Sequence, residues 1–199
     1  MSGPPPPAGG PGTTDLPRRG GNGQLGSYSG EMDVETRERL ARKLTAVGEP
    51  LEVREAAAVE LAEAGDRRAF ETLALLLNYR DESRASRAAE ALARLADPRT
   101  GRAAAALATN ELRVAYALPA IRLLVRMRAP EAVPALTTTL ERLLARPTPA
   151  PHERIALACV EGLGALCPRQ APPAARHALR AATAHPPLAP AARAALADA

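Results

Sequence analysis

Aromatic side chains are nearly missing from this chain: there is no tryptophan, one phenylalanine, at Phe70, and three tyrosines, 2% in all. A core must then be built from Leu, Val, Ile and especially Ala, which means many small contacts and closely approaching backbones. Thin helical layers suit such a core. Histidine is almost as scarce, with three residues, so acid–base or metal chemistry has few groups to draw on. Only five of the fourteen glycines fall after residue 32, and none forms a phosphate-binding glycine loop. Cys159 and Cys167 stand eight apart in one expected helix, about 12 Å by helical rise, too far for a disulfide. No apolar run approaches membrane-spanning length, and the opening MSGPPPPAGG has neither a basic nor an apolar signal region. The expectation is a cytoplasmic protein with no membrane contact.

Lysine occurs once, at Lys43, against 25 arginines, and the formal net charge is +4. That charge is unevenly spread. Residues 33–97 carry 14 acidic and 11 basic side chains, while 98–199 carry 6 and 13, so the first part is net −3 and the second +7. Such an asymmetry orients an anionic partner along a molecule or drives head-to-tail contacts between copies.

Residues 1–32 hold nine of the fourteen glycines and six of the twenty prolines, and cannot bury enough apolar area to offset ordering entropy. They are expected to be a disordered tail, followed by one repeat domain over 33–199. From Asp33 onward apolar residues recur at three-and-four spacing, as in Leu40, Ala41, Leu44 and Val47, and no stretch alternates as a strand does. The spacing predicts helices over 33–47, 51–64, 67–78, 82–96, 99–109, 111–128, 130–146, 152–166, 171–184 and 188–198. Breakers such as GEP at 48–50, DPRT at 97–100 and APE at 129–131 separate them.

The helices repeat in pairs. Aligning the second member of each pair brings Leu61, Leu92, Leu124 and Leu163 to one position, at intervals of 31, 32 and 39 residues. The longer third interval follows from an extended helix after Pro130 and the link RPTPAP. Small residues such as Ala57, Ala88 and Ala89 let neighbouring helices approach closely, and alanine also favours the helix itself.

The segments VREAAAVELAEAGDRRAFETLALLL (53–77) and RAAEALARLADPRTGRAAAAL (87–107) resemble the short bacterial HEAT repeats, also called PBS-lyase HEAT-like repeats. APEAVPALTTTL (129–140) and VEGLGALC (160–167) match the two halves of the same unit, and PAARAALAD near the C-terminus is similar to a final half-repeat. The valine and arginine of the pattern are missing at Arg84 and Ala85. The resemblance implies an all-α fold, a right-handed α-solenoid of about five antiparallel helix pairs, and says little about function.

Enzymes on this architecture leave marks that can be sought. The HEAT-like deoxyhypusine hydroxylase needs several His-Glu dyads, whereas here only His152-Glu153 occurs, and Glu153 is explained as an acid in the first turn of a helix. Phycobilin lyases and HEAT-like DNA glycosylases should want aromatic linings, and four aromatics make a poor one. Ser83 and Ser86 have no histidine nearby in sequence. The expected function is therefore a non-catalytic protein–protein interaction scaffold without cofactor or metal. The alternatives are nucleic-acid or other polyanion binding through the basic C-terminal half, or a lyase-type subunit.

With Leu92 and Leu124 in the seam between repeats, the residues pointing away form two rows: Glu63, Arg94, Arg126, Ala165, and Val59, Glu90, Arg122, Glu161. Arg87, Arg94, Tyr116, Arg122, Leu123 and Arg126 are the candidate partner-binding residues, since Tyr and Arg dominate interface hot spots. An acidic, partly apolar protein segment is the expected partner. On a blander reading Arg122 bridges Glu90 and Glu161 between repeats, while Tyr116 and Leu123 are covered by the neighbouring pair.

Overall fold

Asp33, Asp66, Asp81 and Asn110 each precede a helical segment and accept a hydrogen bond from a backbone N–H two or three residues on, those of Thr36, Arg68, Arg84 and Leu112. A short side-chain acceptor there satisfies one of the donors that a helix start leaves open. The computed structural model describes residues 3, 32–145, 150–167 and 170–197. Those residues form ten α-helices: α1 (Val34–Thr45), α2 (Leu51–Glu63), α3 (Phe70–Leu77), α4 (Glu82–Leu95), α5 (Thr100–Ala108), α6 (Leu118–Met127), α7 (Ala132–Leu144), α8 (Ala150–Leu166), α9 (Pro173–Ala182) and α10 (Ala189–Ala197). Two 3-10 segments, Arg67–Ala69 and Glu111–Tyr116, precede α3 and α6, and the described residues contain no strand.

Each expected helix is present within a few residues of its bounds, with one correction. The span 111–128 is not continuous, because Pro119 stands in the first turn of α6 and has no N–H for the carbonyl of residue 115. The chain meets this by making a 3-10 segment first. The expected tail, residues 1–32, lies outside the described residues except for Gly3 and Met32, and so does most of the RPTPAP link. Met32 is half-buried against the core, so the folded part begins no later than that residue.

The helices pack in pairs, α1 on α2, α3 on α4, α5 on α6, α7 on α8 and α9 on α10. Each even helix also packs on the next even one, from α2 through α10, and α3, α5, α7 and α9 do the same among themselves. Leu61, Leu92, Leu124 and Leu163 are fully buried, as their alignment requires. Alanines hold the layers close: Ala57, Ala88, Ala91 and Ala104 are all buried. Gly162 extends the pattern, since a Cβ there would come within 2.5 Å of a Leu136 methyl on α7 and 2.7 Å of a Val125 methyl on α6.

Two further features recur along the chain. The first is the stop after α2, α4 and α6, where Gly65, Ala96 and Arg128 all take the left-handed conformation, with φ of 71°, 50° and 48°. The second is polar and links the second, third and fourth pairs each to the pair before. Arg68 reaches Glu38 at 2.8 Å, Arg84 reaches Glu52 at 3.0 Å, Arg87 reaches Glu55 at 2.8 Å and Arg99 reaches Glu71 at 2.8 Å. Arg142 donates to the Thr109 carbonyl at 2.7 Å and the Thr139 hydroxyl to that of Ala108 at 2.9 Å.

At two of these rungs the arginine also holds a cap. Asp66 and Asp97 accept from the backbone N–H and the Nε of Arg68 and Arg99 respectively. The hydrogen-bonded guanidinium holds each carboxyl below the usual aspartate range. Asp97 is buried almost completely, and the Arg99 guanidinium lies 3.9 Å from the centre of the Phe70 ring.

Candidate functional site

α6 is the middle helix of the even row, packed between α4 and α8 with α5 and α7 beneath. Its sequence, LPAIRLLVRM, buries Leu118, Pro119, Ala120, Ile121, Leu123 and Leu124, and leaves Arg122 and Arg126 exposed. Those two arginines are one helical turn apart and therefore stand on the same side.

On the α8 side they border a groove of about 400 Å3. Its floor is apolar, formed by Leu118, Ile121 and Val125 of α6 with Leu157, Ala158 and Gly162 of α8, and Arg154, Glu161 and Ala165 complete the rim. On the α4 side the same arginines border a smaller hollow of about 190 Å3 with Ser86, Ala89 and Glu90. Parts of both expected rows come together here, Arg126 with Ala165, and Arg122 with Glu90 and Glu161, while Val59, Glu63 and Arg94 line neither hollow.

Among the described residues no carboxylate lies within ion-pair distance of Arg122 or Arg126, so Arg122 does not bridge Glu90 and Glu161. Arg154 is different, since its guanidinium is 3.1 Å from Glu82 at the start of α4. The groove therefore carries two exposed cations without partners and a third that has one. Sequence reasoning missed Arg154. It stands near the start of α8, outside the two rows carried from repeat to repeat, and its spacing does not show that a carboxylate from α4 holds it.

The other four candidates do not line this groove. Leu123 is buried, not outward, because a helix with neighbours on both sides has three covered faces, and Leu123 turns toward the α4 side. Tyr116 belongs to the 3-10 segment and does not line the groove. It stacks with Arg113, 5.0 Å from ring centre to guanidinium, and borders a small hollow with Tyr79 and Glu82. Arg87 is held by Glu55 and by the Ser83 hydroxyl at 3.0 Å, which fastens α4 to α2. Arg94 stays exposed on the ridge, 3.7 Å from Glu63.

His152 and Glu153 are half-buried in the first turn of α8, and no group of three or more His, Cys, Asp or Glu side chains gathers among the described residues. Cys159 and Cys167 are free and buried, and burial pushes the Cys159 thiol up to about 12. No described helix is long and apolar enough to cross a membrane. No protein-family model and no curated protein matches the chain.

Proposed function

We propose that this chain is a non-catalytic, cytoplasmic protein-interaction scaffold, built as a right-handed solenoid of HEAT-like helix pairs, whose α6–α8 groove takes an acidic, partly apolar segment of another protein. The solenoid reading is supported by the packing of every even helix on the next and by rungs that join residues about one repeat apart, such as Arg87 with Glu55. The binding reading rests on one observation. Arg122 and Arg126, with no carboxylate of the described residues at ion-pair distance, stand over an apolar floor, where a carboxylate and a hydrophobic side chain of one segment would both find complements.

The test is capture from nuclease-treated lysate by the full chain and by Arg122→Glu with Arg126→Glu, both surface changes. Proteins retained by the first and lost from the second, identified by mass spectrometry, support the reading; unchanged retention removes the groove as the site. The basic second half favours one alternative, polyanion binding. It predicts retention of mixed DNA and RNA with an affinity that falls steeply as salt rises.

A further inference from the structure

The odd row has a gap at its beginning. α3, α5, α7 and α9 pack on one another in turn, but α1 packs along α2 and touches the 67–69 segment without packing along the body of α3. The space left is a trough of about 640 Å3, larger than the groove at α6 and α8. Its walls are apolar, with Leu44 from α1, Leu51 from α2, and Leu75 and Leu76 from α3, and Tyr79 closes one end. Leu75, in the last turn of α3, is 75% exposed. The trough is thus open along its length.

Three charged residues border it, and two are already paired. Arg68 is bonded to Asp66 and Glu38, and Glu71 to Arg99. Arg54, on α2, is half-buried, its Nε is shut off from solvent without a hydrogen-bond partner, and no described carboxylate pairs with it. A half-buried guanidinium beside apolar walls, with no described carboxylate paired to it, is complementary to a carboxylate on an apolar body.

We infer that the α1–α3 trough is a second docking site, for an amphipathic helix of another protein that lays leucine-type side chains at three-and-four spacing against Leu44, Leu75 and Leu76 and places one carboxylate at Arg54. The row itself argues for a helix: α5 and α7 are each flanked by helices of the row on both sides, and among the described residues the place along α3 on the α1 side is open. The unpaired positive charge selects the acidic residue. This site lies on helices other than those of the α6–α8 groove and does not depend on it.

The test is a selection of displayed peptides of about 15 residues, long enough for four helical turns, against the full chain. The expected winners carry apolar residues at i, i+3 or i+4 and i+7 with one Asp or Glu. Their binding should weaken by about tenfold or more on Arg54→Met, which keeps the aliphatic stem. Arg54→Glu should restore binding when the peptide carboxylate is changed to lysine. Leu75→Glu, at an exposed position that leaves the fold intact, should abolish binding, and Arg122→Glu with Arg126→Glu should leave it unchanged. The inference is overturned if no peptide is enriched, if enriched peptides ignore Arg54 and Leu75, or if they need Arg122 and Arg126. It is equally overturned if the trough is filled by a second copy, seen as a concentration-dependent dimer lost on Leu75→Glu, or if dodecanoate saturates the trough while peptides do not bind.

Discussion

Arg154, the fifth residue of α8, donates to Glu82, the first residue of α4, at 3.1 Å across 72 residues of chain. Since α6 lies between those helices, the pair spans the α6–α8 groove at one end. Both side chains are about half exposed, so the pair contributes roughly 0–1 kcal/mol to stability. Glu82→Gln should accordingly leave the denaturation midpoint nearly unchanged. It should also raise affinity for an acidic groove ligand, by releasing a third arginine, and a titration of the captured partner against both proteins measures this.

Leu92 tests the stacking. It is fully buried where α4 meets α2 and α6, and Leu92→Ala should cost about 2–5 kcal/mol in urea denaturation. Leu75→Ala, at an exposed leucine, should stay within about 0.5 kcal/mol. Equal effects would mean that the leucine alignment is not the seam.

Gly162 tests how tightly α8 is seated. Gly162→Ala adds a methyl where Leu136 and Val125 already stand, and overpacking should destabilise by about 1–3 kcal/mol despite alanine's better helix propensity. A stabilised variant would show that the three helices have room to separate.

Acid sensitivity should localise to the capped rungs. Arg68 and Arg99 lower the folded-state values of Asp66 and Asp97, so their stabilising contribution is complete above the ordinary aspartate value, about 3.9, and is lost as pH falls below it. Asp97→Asn keeps a side-chain acceptor for the Arg99 N–H but loses the charge. It should lower Tm at pH 7 and flatten the decline of Tm between about pH 4 and pH 2. A decline as steep as that of the unaltered protein would assign acid sensitivity to other carboxylates.

The cysteines give a folding probe. Cys159 is fully buried with its thiol pushed up to about 12, and Cys167 is buried and shifted the same way. Neither should react with a disulfide reagent at pH 8 until denaturant is added, because thiolate and access are both required. Prompt release of two equivalents from native protein would contradict the packing of α8.

Much of this was legible in the sequence because it is periodic. A leucine recurring every 31 or 32 residues with alanines around it predicts a buried seam, and Leu61, Leu92, Leu124 and Leu163 form one. The charged rows were legible for the same reason. Helix-wheel reasoning failed at Leu123, since it assumes one covered face and cannot know how many neighbours a helix has. It failed at Arg87 because an arginine on a surface and an arginine tied to the previous repeat have the same spacing. Arg154 and Arg54 were invisible for a third reason: what distinguishes them is the presence or absence of a carboxylate contributed by a distant helix.

The rungs between repeats have a direction. In each arginine–carboxylate rung the acid comes earlier and the arginine later, the long Arg37–Asp66 approach at 3.9 Å excepted. A chain joined in that way resembles planks laid with overlapping ends: each joint is neutral, but the last plank has a projecting edge. The net −3 of residues 33–97 and the +7 of 98–199 are then partly the two edges of one staggered joint. A partner that supplies carboxylates to Arg122 and Arg126 adds the overlap that the preceding plank does not give them.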